Sequence, residues 1–167
     1  MKKLLLCCLV MTVTTAAWAY PRVGDSMTVS DGVTVEYTTT LVGYNSQDNT
    51  FTALETTTTP QGVVTESVVV SASRILTDGE IQAGLNYCSA QGRLQQVVVP
   101  FGTFQGCPNY WYLGATLGMV PFGYLQKLTF NGTTSVNVNL IDSKIGTGAG
   151  PSTHRYINST EGAYPNL

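Results

Sequence analysis

The chain has 167 residues, a formal net charge of −2, and only 11% charged residues. That length fits one domain able to bury a real core. The acidic balance argues against nucleic acid, which wants a clustered basic face, and against steady adsorption to an anionic membrane.

Residues 1–19 read as a cleaved export signal: Lys2 and Lys3, an apolar run from Leu4 to Val13, and Ala17-Trp18-Ala19 with small residues where signal peptidase needs them. The run is too short for a membrane span of about 20 residues. Cys7 and Cys8 lie too early in it for lipid attachment and leave with the signal. The protein is therefore expected to be exported, periplasmic or secreted. Cleavage removes two of the eight basic residues, so six remain against ten acidic ones and the balance falls to −4. The expected layout is a signal over 1–19, one β-rich domain over 20–144, and a flexible tail over 145–167. Deleting 146–167 is expected to leave the fold intact.

Strands begin from Val23. Val33, Val35, Tyr37 and Leu41 share one parity and Thr34, Glu36, Thr38 and Thr40 the other, the alternation of a half-buried strand after an Asp31-Gly32 turn. A polar turn over 44–49 leads to a second strand, Thr50 to Thr59. Its threonines suit a pleated surface. Pro60-Gln61-Gly62 turns into a third strand, Val63 to Ser73, which completes an antiparallel meander. The loop from Asn45 to Asn49 has one carboxylate, too few for calcium.

The period then changes. Thr77-Asp78-Gly79-Glu80 has the form of a capping box, Leu76 and Ile81 the spacing of a hydrophobic staple, and Gly92 the place of a stop. Ile81, Leu85 and Cys88 lie on one face of this helix, which must pack on the sheet. Cys88 and Cys107 are the two cysteines that survive cleavage. In an oxidising compartment they make one bridge, closing a loop worth about 3 kcal/mol. A lone pair at this spacing, with one distant histidine, makes neither a zinc site nor a redox motif.

Strands resume at Leu94. Val97 to Val99 are apolar without a break, which predicts cover on both faces. Val-Pro-Phe-Gly occurs at 99–102 and again at 120–123, read as two sheet corners. Between them, Asn109 to Met119 is aromatic, glycine-rich and apolar. It reads either as ordinary core with a loop or as the wall of an apolar pocket. The candidate lining is Trp111, Tyr112, Phe122, Tyr124 and Leu125. A strand to Phe130, an Asn131-Gly132 turn and a partner from Thr133 to Ser143 form a hairpin. His154 and Arg155 fall in the expected tail.

The chain carries no nucleophile elbow, P-loop or dinucleotide fingerprint. Glu36, Glu55 and Glu66 lie on three adjacent strands, but the parity of Glu36 and Glu66 turns them to water. No catalytic residue, metal site or cofactor is expected, and the protein is read as not an enzyme.

The meander, the helix ending Asn86-Tyr87-Cys88, Val97 to Cys107 with its Gly-Thr-Phe-x-x-Cys phrase, and the hairpin from Val120 to Ser143 together resemble a family of small exported bacterial β-rich proteins of unassigned function. More loosely, the layout is similar to the periplasmic half-barrels that carry lipoproteins or lipids. The resemblance implies a sheet wrapped round a helix or an apolar ligand. The expected fold is mainly β, a curled antiparallel sheet or half-barrel with one helix packed on it. The expected function is a non-enzymatic envelope binding protein whose partner is an apolar small molecule, a lipid or an envelope protein. The alternative is a structural or surface-interaction protein using its threonine-rich strands. Oligomeric state is left open.

Overall fold

The computed structural model describes residues 21–110, 115–131 and 134–151, so the expected signal peptide lies outside it. Among the described residues the architecture is mainly β, as expected. Nine antiparallel strands form one unclosed sheet: β1 (Ser26–Ser30), β2 (Glu36–Asn45), β3 (Thr50–Thr59), β4 (Gly62–Ser71), β5 (Gln95–Val99), β6 (Gly102–Cys107), β7 (Thr116–Gly118), β8 (Tyr124–Asn131) and β9 (Thr134–Lys144). Their order across the sheet is β4-β3-β2-β1-β9-β8-β7-β6-β5. The chain starts in the middle, meanders out to one edge, crosses by helix α1 (Asp78–Ala90) to the other edge, and meanders back to close on β1.

The turns follow from side chains. The Asp31 carboxylate accepts from the backbone N–H of Val33, Thr34 and Val35 and from the Thr34 hydroxyl. These bonds, that to Thr34 first, hold its pKa far below the usual carboxylate range. They also occupy residues 31–35, so β2 starts at Glu36. Val33 stands 85% exposed rather than on the buried parity. The β3 strand has the expected limits. The third predicted strand ends two residues early at Ser71, where a 3₁₀ turn over Ala72–Arg74 begins.

Helix α1 is capped at both ends. The Thr77 hydroxyl accepts from the Glu80 N–H at 3.2 Å, and the Glu80 carboxylate accepts from the Thr77 N–H at 2.8 Å. At the other end Gly92 turns left-handed at φ 65°. The N–H of Gly92 then reaches the Ser89 carbonyl at 3.0 Å and that of Arg93 the Cys88 carbonyl at 2.8 Å, a Schellman closure. Ile81, Leu85 and Cys88 pack with Cys107, Leu117 and the staple residue Leu76. Cys88 and Cys107 are disulfide-bonded, their Cα atoms 5.9 Å apart, and both are fully buried. The Arg93 guanidinium donates to the Pro108 and Asn109 carbonyls and ties the same two segments a second time.

The β5–β9 half curls tightly. Gly106 and Gly118 pair across β6 and β7, and a Cβ on Gly118 would collide with Leu125. The curl brings Val97 and Val99 of β5 into one core with Val138 and Leu140 of β9, Val29 of β1, and Leu41, Phe51 and Ala53 of the meander. The Phe101 N–H reaches the Leu140 carbonyl at 3.2 Å.

Four expectations change. The β5 strand is an edge and alternates, with Val98 71% exposed, so it is not covered on both faces; the helix sits on β6 and β7 instead. The two Val-Pro-Phe-Gly phrases take different conformations. In the first, Val99 pairs with Gly102 and Pro100-Phe101 form the tip of a two-residue hairpin. The second is a 3₁₀ turn leading into β8. The β8–β9 hairpin pairs Asn131 with Thr134, one residue later than an Asn131-Gly132 turn would place it; residues 132 and 133 are outside the described ones. Finally, the expected tail does not begin at residue 145. The Gly146 N–H donates to the buried Asp25 carboxylate at 2.7 Å. Gly148 and Ala149 bond to both backbone groups of Val23 at 2.9 and 2.8 Å. Glycines at 146, 148 and 150 are not chain breakers here. Each passes so close to backbone of Pro21–Asp25 that a Cβ would collide with it. The remainder of the expected tail, with His154 and Arg155, lies outside the described residues.

Candidate functional site

In the β2–β3 ladder Tyr37 faces Thr57 and Thr39 faces Glu55. Directly opposed residues share a face, and this face continues inward to Leu41, Ala53 and Phe51 of the core. It is the concave side of the sheet. Strand β8 lies three places away, beyond β1 and β9, and only the curl brings the two together. The result is a cleft of about 230 Å³ between them, with Met27 and Phe122 as its apolar part, Tyr37 and Tyr124 beside them, and Thr39, Glu55, Thr57 and Lys127 as its polar part.

Three features of this cleft work against stability. Phe122 has φ 64°, a left-handed conformation at a bulky residue. Such strain persists where surrounding structure imposes it, and it concentrates at ligand clamps. Lys127 sits on the inward parity of β8, in line with fully buried Leu125 and opposite fully buried Val138. Its ammonium lies 5.8 Å above the Tyr124 ring. Burial lowers the Lys127 pKa and the nearby Glu55 carboxylate offsets part of that; burial raises the Tyr124 phenol. Third, Glu55 faces Glu66 directly across β3 and β4, a like-charge pair that destabilises a ladder. Violations of local preference gather at functional sites in natural proteins, and this cleft is where they gather among the described residues.

A lysine whose folded pKa lies below its unfolded one weakens the fold. The penalty is fully present below the folded pKa and vanishes as pH rises through the ordinary lysine range. Lys127→Met is therefore expected to melt at least as high as the parent at neutral pH, with the difference closing toward pH 10 or so. Thermal melts across pH check this. A variant that melts well below the parent at pH 7 would show that Lys127 is a structural strut.

Of the residues expected from sequence, Phe122 and Tyr124 meet in the cleft. Leu125 does not line it, being fully buried in the core. Trp111 and Tyr112 lie outside the described residues. Phe122 also walls a second, smaller cavity of about 140 Å³ whose lining includes Ile75, Leu76, Met119 and Val120. The sequence reading missed Tyr37, Glu55 and Lys127. The available signal was Lys127 itself, a charge on the parity of Leu125. Glu66 is exposed, as expected, but stands on the inner parity with Val68 and Val70, and Glu36 faces Thr58 away from the pair. Among the described residues no group of three or more His, Cys, Asp or Glu could hold a metal, and no helix is long and apolar enough to cross a membrane.

The fold and cleft define a class, a single curled antiparallel sheet with a disulfide-clasped helix on it and a small amphipathic cleft on its concave side. Comparison with family models, curated proteins and solved structures finds no match for this chain.

Proposed function

We propose that this is an exported, non-enzymatic binding protein that holds a small amphipathic ligand in the Phe122–Lys127 cleft. The observation that carries the reading is the gathering of a strained phenylalanine, a desolvated lysine and a like-charge pair around one concavity. The cleft volume of about 230 Å³ is below the roughly 300–1,000 Å³ of sites for drug-sized ligands. It therefore takes a small molecule or the head of a larger one, its apolar part on Met27 and Phe122 and its polar end toward Lys127. An acidic or hydroxyl-bearing head matches an ammonium in a partly dry site. Export rests on the signal-like residues 1–19, and the family resemblance agrees with it.

The test is native mass spectrometry of protein purified gently from its own host. A small molecule that leaves on denaturation, and that is missing from both Lys127→Met and Phe122→Gly proteins, is the expected result. Ligand-free parent protein would favour the second reading, a surface-interaction role. The observation behind that second reading is a threonine rank on the opposite face of the meander, Thr28, Thr38, Thr56 and Thr65 on four successive strands, with hydroxyls bonded at 3.0 Å in two pairs.

A further inference from the structure

The two edges of the sheet differ. The β5 edge is five residues long, is followed by Pro100, buries Val97 and Val99, and has its tip bonded back to β9. The β4 edge runs ten residues in unbroken register with β3 and is exposed over most of its length on both faces. Its sequence, GVVTESVVVS, holds one charge and no proline. Val63, Val64 and Val69 are 64%, 60% and 73% exposed. Natural edges are blunted by lysine, proline, a bulge, a short strand or an inward-pointing charge, and of these β4 has only the single inward carboxylate of Glu66.

We propose that β4 is a homodimer interface, two copies pairing antiparallel about a twofold axis with Ser67 opposite its own counterpart. Closure favours a second copy. A head-to-tail joint of β4 to β5 would propagate without end and would pair only half of β4, since β5 has five residues and β4 ten, so β4 against β4 is the closed pairing that uses the whole edge.

Register follows from parity, length and charge. A twofold axis through the sheet places opposite one another only residues of one face, so the axis passes a single residue of each copy. Strand limits at Gly62 and Ser71 make the overlap longest when that residue is Glu66 or Ser67. Centring on Glu66 sets two carboxylates face to face, which costs stability. Centring on Ser67 sets Val64 against Val70, Thr65 against Val69 and Glu66 against Val68, burying valines on both faces.

The experiment is sedimentation equilibrium of the full mature chain, with site-directed cross-linking. The parent is expected to be a dimer at micromolar concentration, and Val64→Lys/Val69→Lys a monomer with unchanged circular dichroism, since both positions are exposed. Mild oxidation should link Ser67→Cys chains into covalent dimers, because self-opposed residues of an antiparallel pair have Cα atoms about 4.5–5.5 Å apart, within the range a disulfide spans, and should leave Thr65→Cys chains unlinked. A monomeric parent, a lysine variant that stays dimeric, or linkage at residue 65 but not 67 would each overturn the proposal.

Discussion

Replacing Cys88 or Cys107 by serine is expected to destabilise the protein by about 3 kcal/mol, and replacing both is expected to cost no more than replacing one. The bond closes a loop across a sequence separation of 19 residues, and its main effect is to restrict the unfolded chain. Non-additivity is the sharper part of the prediction, because both changes remove the same bond. Both sulfurs are fully buried among Ile81, Leu85 and Leu117, so the reduced protein loses the constraint but keeps an apolar contact. The Arg93 bonds to Pro108 and Asn109 also remain. The variants should therefore still fold at low temperature, with α1 the first element to loosen. Urea unfolding of all four forms measures it. Additive losses, or two titratable thiols in the oxidised parent, would overturn it.

Deleting residues 146–167 is expected to cost as much or more, roughly 3–5 kcal/mol from hydrogen bonds of about 1 kcal/mol each and a buried carboxylate that loses one of its donors. The segment over 146–149 supplies the Gly146 N–H to Asp25 and two backbone bonds to Val23. Asp25 is 8% exposed and also accepts from the Arg22 N–H at 2.8 Å. Its carboxylate thus joins the two ends of the described fold. Asp25→Ala should lose part of the same stability, and combining it with the deletion should add little. A shorter deletion, 152–167, keeps all these bonds and serves as the control. Chemical denaturation of the parent and these four variants decides the matter. A parent-like deletion of 146–167 would restore the domain boundary expected from sequence.

Much of the architecture was legible because local signals agreed with tertiary ones. The capping box at Thr77, the face of Ile81, Leu85 and Cys88, and the limits of β3 each follow from spacing alone. What escaped was decided by distance along the chain. Glycines at 146, 148 and 150 look like breakers until Pro21–Asp25 lies beside them. Val97 to Val99 look doubly covered until β5 proves to be an edge. The cleft was half legible for the same reason. Phe122 and Tyr124 stand out as apolar residues after a proline. Tyr37, Glu55 and Lys127 become neighbours only because the sheet curls β8 over β2 and β3, which no local pattern encodes.

The central position of β1 also sets an order of assembly. Its partner β9 comes from the far end of the chain; Ser26 and Ser143, bonded at the β1–β9 seam, are 117 residues apart. A chain made N-terminus first presents β1 to β4 long before β9 exists. The meander can zip up at once, since its turns are short and its pairings local, whereas the seam must wait for β9 and then close a long loop, which slows it further. During that interval Leu41, Phe51 and Ala53 lack the Val97, Val99 and Val138 that later cover them, and the valines of β4 stand open beside them. The half-made protein is thus the most adhesive form this sequence ever takes, and the last strand to arrive turns it into a closed core.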